Sequence, residues 1–197
     1  MLRFKASGWQ VRGVEPDAVA AATAREKRGL DVQTGTLERA HFEDKTFDFV
    51  TMHHVLEHLP DVTRTLKQVY RVLKPGGRLI LATPNTQSRG RRKFGPTWIG
   101  WESPRHLSLF SKRNLPHALE LAGLRMIKQW TCARQAGWML AISDTIRKHG
   151  IAPDLKLPWP PPLSQRIRRA WYQYTEAALC PMASWGEELV AIVERPA

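Results

Sequence analysis

The sequence predicts an α/β fold, a doubly wound and mostly parallel sheet within a single domain over residues 1–197, with a helical insertion at 132–186 before its last strand. Two observations carry this prediction. Residues Phe47 to Asn85, reading FDFVTMHHVLEHLPDVTRTLKQVYRVLKPGGRLILATPN, run as strand, helix, Gly-Gly turn and strand. On either side, apolar stretches of strand length alternate with stretches of helical period.

In chain order, Gln10 to Glu15 alternates apolar and polar residues as a strand does. Pro16-Asp17 closes that strand, and Ala18 to Arg28 is rich in the best helix former, with Gly29 to end it. Val32 to Thr34 is a short strand. Phe47 to Met52 and Arg78 to Thr83 are apolar enough to be buried strands. Between them Val62, Leu66, Val69, Tyr70 and Leu73 share one helical face, capped by Asp61 and stopped by Lys74-Pro75-Gly76-Gly77. Residues 84–111 hold Gly90, Gly95, Pro96, Gly100 and Pro104 beside Phe94, Trp98 and Trp101. They are too irregular for an element and too aromatic for disorder, so a lid over a site is expected.

Ser111 caps a helix whose inner face is Leu115, Ala118, Leu119 and Ala122, and Arg125 to Thr131 follows as a strand. In the insertion, Trp138, Ile142 and Ile146 mark one helix. Leu163, Ile167, Ala170, Trp171, Tyr174 and Ala178 mark another, whose apolar face is expected to pack on the domain or to touch lipid. Pro158 to Pro162, PWPPP, separates them as a stiff linker, and Leu189 to Val193 is the final strand.

Composition limits the partners. With 197 residues, 43% of them hydrophobic, the chain can bury one core. No stretch approaches the roughly 20 apolar residues of a membrane span, so a cytoplasmic protein with at most peripheral membrane contact is expected. Cys132 and Cys180 form no CxxC pair, and no metal is expected. The net charge is +12, much of it on Arg89, Arg91, Arg92, Lys93, Arg105, Lys112 and Arg113. That loop is either a solvated face or a seat for an anion, and nucleic acid is the lesser partner class, reached only through it. The oligomeric state is not legible.

The stretch Phe47 to Asn85, together with GVEPD at residues 13–17 and Pro104-Arg105-His106-Leu107, resembles the class I S-adenosylmethionine-dependent methyltransferases, most closely the ubiquinone-biosynthesis O-methyltransferase type. The resemblance implies a Rossmann-like sheet whose last strand is antiparallel. It also implies a first strand and a glycine-rich loop that have no counterpart here, so a form shortened at its N-terminus, with weak or no cofactor binding, is expected. That strand would lie in the middle of the sheet, between the strands ending at Glu15 and Met52. By the same resemblance, S-adenosylmethionine is the cofactor. Glu15 would take the ribose hydroxyls, Pro16, Thr36 and Leu37 would flank the adenine, and Met52 and His53 would lie beside the methionine part.

Methyl transfer needs alignment above all, with a base when the acceptor is a hydroxyl. His54, His53 and His106 titrate in the right range. His54 is the first candidate for the base, with His106 second, although each is equally readable as a histidine satisfying local backbone. Glu57-His58 is a family pair expected to orient the entry to the following helix. Asn85 either positions an acceptor or forms a turn. The Asp/Asn-Pro-Pro-aromatic motif of nucleobase-amine methylation is replaced by His53-His54-Val55-Leu56, and the double-glutamate hairpin of arginine methylation is missing. A small-molecule acceptor, methylated on oxygen, is therefore expected. The rival readings are a noncatalytic, degenerate methyltransferase fold that holds RNA or another polyanion, and a nicotinamide dehydrogenase.

Overall fold

The computed structural model describes residues 1–150, 162–179 and 185–197. Six strands and seven helices follow in order: α1 Leu2–Ala6, β1 Arg12–Glu15, α2 Ala18–Arg28, β2 Asp31–Thr34, β3 Phe47–His53, α3 Val62–Val72, β4 Leu73–Pro84, α4 Arg89–Phe94, α5 Asn114–Glu120, β5 Arg125–Cys132, α6 Ala136–His149, α7 Leu163–Leu179 and β6 Glu188–Glu194. Pro158 to Pro161 and Cys180 lie outside the described residues. Among the described residues no helix is long and apolar enough to cross a membrane.

Local chemistry sets the helix ends. Asp17 Oδ1 accepts from Ala20 N at 2.8 Å and Asp61 Oδ1 from Arg64 N at 2.8 Å, each meeting an N–H that the first turn leaves unpaired. Gly29, at φ 60°, closes α2 in the left-handed region. Ser111 Oγ accepts from the backbone of Arg113 and Asn114 ahead of α5. At the turn into β4, a Cβ on Gly77 would stand 2.8 Å from the Lys74 carbonyl oxygen, so only glycine fits there.

The strands form two sheets. β1 and β2 pair in parallel, and a second sheet runs β3-β4-β6-β5, with β3 parallel to β4 and β6 antiparallel to both of its neighbours. No ladder joins β1 to β3. Apolar side chains bridge the break instead: Val14 of β1 and Val50 of β3 both pack on Ala40, Phe42 and Val72.

One face of the larger sheet is covered. Leu79, Leu81, Leu189, Ala191 and Val193 pack with Leu66 and Val69 of α3 and with Leu115 and Leu119 of α5. The opposite face is not, for Phe49, Ile80 and Ile127 are exposed. The sequence reading makes β3 and β4 strands buried on both sides, and the structure corrects this to burial on one side. A short aromatic chain, Phe4 on Trp9 and Trp9 edge-on to Phe49 at 5.6 Å, shields one corner.

Residues 84–111 are also more ordered than a loose lid. They contain α4 and two 3-10 turns, and Phe94, Trp98 and Ile99 form a second core with Ala136, Met139, Leu140 and Ile142 of α6. The basic run is partly absorbed in this packing. Arg89 pairs with Glu176, while Arg91, Arg92 and Lys93 stack over Trp101, Trp185 and Tyr172. Helix α7 presents the reverse of the expected face. Leu163, Ile167, Trp171 and Tyr174 are all more than 60% exposed, whereas Gln173 and Arg168 face α6.

Candidate active site

Parallel strands gather their carboxyl ends on one edge of a sheet, and here β1, β2, β3 and β4 bring Glu15, Thr34, His53 and Pro84 to those ends. At the first pair, Glu15 is half-buried. Its Oε1 accepts from Asp17 N at 2.9 Å, and its backbone carbonyl accepts from Gly35 N at 3.0 Å. The second bond ties the end of β1 to the turn holding Thr36 and Leu37. Pro16 and Thr36 are exposed there, and Leu37 packs between the two sheets. A carboxylate carries about four acceptor positions, so Glu15 keeps its Oε2 for hydroxyl donors.

At the end of β3 the alternation of the strand separates neighbours. Met52 points into the core and is buried, which places it under the cleft floor rather than beside a ligand. His53, on the opposite side, is exposed. The chain then turns sharply: His54 has φ 51°, so the extended conformation does not persist through it.

That turn aims His54 at two buried carboxylates. Its Nδ1 donates to Glu57 Oε1 at 2.9 Å and its Nε2 to Glu188 Oε1 at 2.8 Å. Thr83 Oγ1 donates to Glu57 Oε2 at 3.1 Å, and Cys132 Sγ donates to Glu188 Oε2 at 3.1 Å. Burial alone would favour a neutral ring, but the hydrogen bonds and charges of the two glutamates push the His54 pKa up to about 9. Although burial opposes their ionisation, the same bonds hold Glu57 and Glu188 below the usual carboxylate range. His54 is thus an imidazolium with both nitrogens donating, and it has no lone pair with which to accept a proton. Partial burial, then the adjoining His54 charge, lower the pKa of His53, whose ring stands 4.6 Å from that of His54.

Of the other two expected groups, Asn85 is bound into the backbone and His106 lies beside Glu57, with ring nitrogen and carboxylate oxygen within 4.8 Å. Asn85 is buried. Its Nδ2 donates to the Gly186 carbonyl at 2.8 Å and its Oδ1 accepts from Gln87 N, so it builds a turn. His106 donates Nδ1–H to the Gly100 carbonyl at 2.7 Å and sets Nε2 3.2 Å from Glu102 Oε2. A further buried carboxylate, Glu187, accepts from Trp98 Nε1, Gly90 N and Ser88 Oγ, and burial pushes its pKa up to about 7.

The sequence profile of a family described as methyltransferase domain matches residues 1–129, well over half the chain. The chain belongs to that family. A protein of Mycolicibacterium smegmatis named probable S-adenosylmethionine-dependent methyltransferase is 32% identical over 119 residues, covering 59% of this chain and 44% of its own. The demethylmenaquinone methyltransferase of Bacillus subtilis is 32% identical over 108 residues, 48% of this chain and 46% of its own. The match thus spans under half the length of these curated relatives. In architecture, a S-adenosylmethionine-dependent methyltransferase from Archaeoglobus fulgidus superposes with a TM-score of 0.60 at 18% identity, over 98% of this chain and 79% of that one. In the order β3-β4-β6-β5 the last strand, β6, runs antiparallel to both neighbours, as the resemblance implies for the last strand.

For this methyltransferase domain, the structure brings Glu15, Pro16, Thr36 and Leu37 to one edge and leaves His53 open beside β4. Met52 and Asn85 are buried, and His54 is bonded to Glu57 and Glu188. Sequence reasoning missed Glu188, which lies 134 positions from its partner His54. The available signal was Glu187-Glu188, two carboxylates entering an apolar strand.

Proposed function

We propose that this methyltransferase domain transfers a methyl group from S-adenosylmethionine to an oxygen of a small-molecule acceptor, with Glu15 holding the ribose and His53 taking the acceptor proton. The observation that carries this reading is the half-buried Glu15 carboxylate at the end of β1, with one oxygen fixed by Asp17 N and the other available. That donor set fits a vicinal diol, which offers two hydroxyls to a carboxylate. Pro16, Thr36 and Leu37 offer a flat, partly apolar wall for an adenine. The bound sulfonium supplies an activated methyl carbon and a good leaving group. The protein's part is alignment and proton removal. His53 suits the second task because it is exposed and neutral near pH 7, and His54 serves it by holding a fixed positive charge that keeps the His53 pKa low.

The break between β1 and β3 belongs to the same proposal. A strand in that slot, bearing a glycine-rich loop, would pair with both facing edges and supply the backbone amides that the methionine end of the cofactor needs. Residues 84–111 would border the acceptor, braced from behind by α6.

The acceptor class is tested by assaying release of S-adenosylhomocysteine over phenols, alcohols, amines and quinones, using a fusion that fills the slot. Turnover with hydroxyl acceptors, falling about 10²- to 10⁴-fold in His53→Gln, is expected. Turnover with amines alone would overturn the oxygen assignment. The acceptor in the Bacillus subtilis relative's name, a demethylated quinone, falls in the same small-molecule class. Polyanion binding as the main role is not favoured, since Arg89 and Arg91 to Lys93 are engaged with the protein's own acidic and aromatic groups.

A further inference from the structure

We propose that Glu57, His58 and His106, with Glu102 beside them, bind a first-row divalent metal ion. One carboxylate oxygen of Glu57 and one ring nitrogen each of His58 and His106 lie within 4.8 Å of one another. Donors around an ion held at about 2.0–2.2 Å sit roughly 3–3.5 Å apart, so side-chain rotation closes the set.

The tautomers point the same way. His58 Nδ1 contacts the Arg105 carbonyl oxygen at 3.0 Å and His106 Nδ1 contacts the Gly100 carbonyl oxygen at 2.7 Å. A carbonyl oxygen can only accept, so in both rings Nδ1 carries the hydrogen and Nε2 keeps the lone pair. Backbone carbonyls bound to the far nitrogen are the usual outer partners of metal-ligating histidines. His106 Nε2 then faces Glu102 Oε2 at 3.2 Å, while Glu102 Oε1 is paired with Arg105 Nη1 at 2.7 Å; a cation or a proton between Nε2 and Oε2 relieves a lone pair set against a carboxylate oxygen. Glu102 reaches that position from a left-handed backbone, φ 30°, a conformation that costs a non-glycine residue energy.

Two segments far apart in sequence are already joined at this point. The Glu57 carbonyl oxygen accepts from Leu107 N at 2.8 Å and from Ser108 N at 3.2 Å, which fixes residues 102–108 against the 3-10 turn at Leu56–His58. Both Glu57 oxygens hold hydrogen bonds, to His54 and Thr83, but each retains a second lone pair. The neighbouring group His53, His54 and Glu188 also has the spacing of a metal site, yet it is a poor one, because both His54 nitrogens donate to carboxylates. Two imidazoles with one or two carboxylates suit zinc, iron, cobalt or manganese better than calcium or magnesium. The sequence reading expects no metal because it looks to cysteines, while this donor set is assembled only by the fold.

The inference does not depend on methyl transfer, and it is tested by binding rather than by activity. The purified chain is equilibrated with zinc and analysed for bound metal, and cobalt is added separately to follow visible absorption. One ion per chain, tetrahedral or five-coordinate cobalt bands, and a raised unfolding temperature are expected. Affinity should fall at least about tenfold in His58→Ala and in His106→Ala but not in the control His117→Ala. His58 is the less buried ligand, so His58→Gln serves if His106→Ala fails to fold. Absence of a stoichiometric ion would overturn the proposal, as would unchanged affinity in the His58 variants. A proton would then be what joins His106 to Glu102.

Discussion

At the scale of single residues, His54 decides how the end of β3 works. Its two donations set one positive charge between Glu57 and Glu188, so removing the ring leaves two buried carboxylates without that shared counter-charge. His54→Ala should therefore lose about 3–5 kcal/mol of stability, measured by urea unfolding. A loss below about 1 kcal/mol would show that the pair is satisfied in another way. Glu187 behaves in the opposite sense. Its folded pKa, about 7, lies above the ordinary 4.5, so its contribution is whole below about pH 4.5 and is lost as pH climbs through 7. Glu187→Gln mimics the protonated acid. Its stability advantage over the wild type should grow by roughly 3 kcal/mol between about pH 4.5 and 8, and a flat difference would contradict the assignment. The sequence marks Glu15, His53 and His54 as residues worth attention, because a motif surrounds them. It does not mark their roles: strand alternation buries Met52, a left-handed turn aims His54 at Glu57 and Glu188, and Glu188 comes from a strand 134 positions away.

At the scale of elements, periodicity and caps were legible and orientation was not. Asp17, Asp61 and Gly29 sit where the sequence puts the helix ends, and Asp61→Ala should cost about 1 kcal/mol in α3. Among the described residues the six strands lie within two or three residues of where apolar runs place them, except that β4 begins earlier, at Leu73, which pairs with Phe47 ahead of an irregular stretch through Gly76 at φ 75°. Helix α7 shows the limit of the pattern. Its apolar stripe is real, but α6 is contacted through Gln173 and Arg168, and a hydrophobic period alone cannot say whether protein, lipid or a second chain lies opposite. Trp171→Ser and Ile167→Ser should accordingly change stability by no more than about 0.5 kcal/mol. Peripheral membrane contact through this stripe predicts that the wild type floats with anionic vesicles and that the double variant does not. A cost of about 2–5 kcal/mol would instead mean that the stripe is packed in the protein.

At the scale of the whole molecule, the alternation of strands and helices made the doubly wound α/β class readable, while the strand order came from the family resemblance. The reversed last strand came from the family resemblance, and the structure places it between β4 and β5. The parted sheet and the open face carrying Phe49, Ile80 and Ile127 follow from one feature, the lack of a hydrogen-bonded ladder between β1 and β3. Periodicity reports on each strand separately and is blind to such a break; only the position of Glu15 within a recognised strand order revealed it. If Glu15 and the neighbouring strand ends form the cofactor cleft, calorimetric titration of S-adenosylmethionine into a fusion that carries an apolar strand ending in Asp-x-Gly-x-Gly ahead of Met1 should give micromolar binding, weakened about 10- to 100-fold by Glu15→Ala. No binding by the folded fusion, or binding that ignores Glu15→Ala, would rule that cleft out.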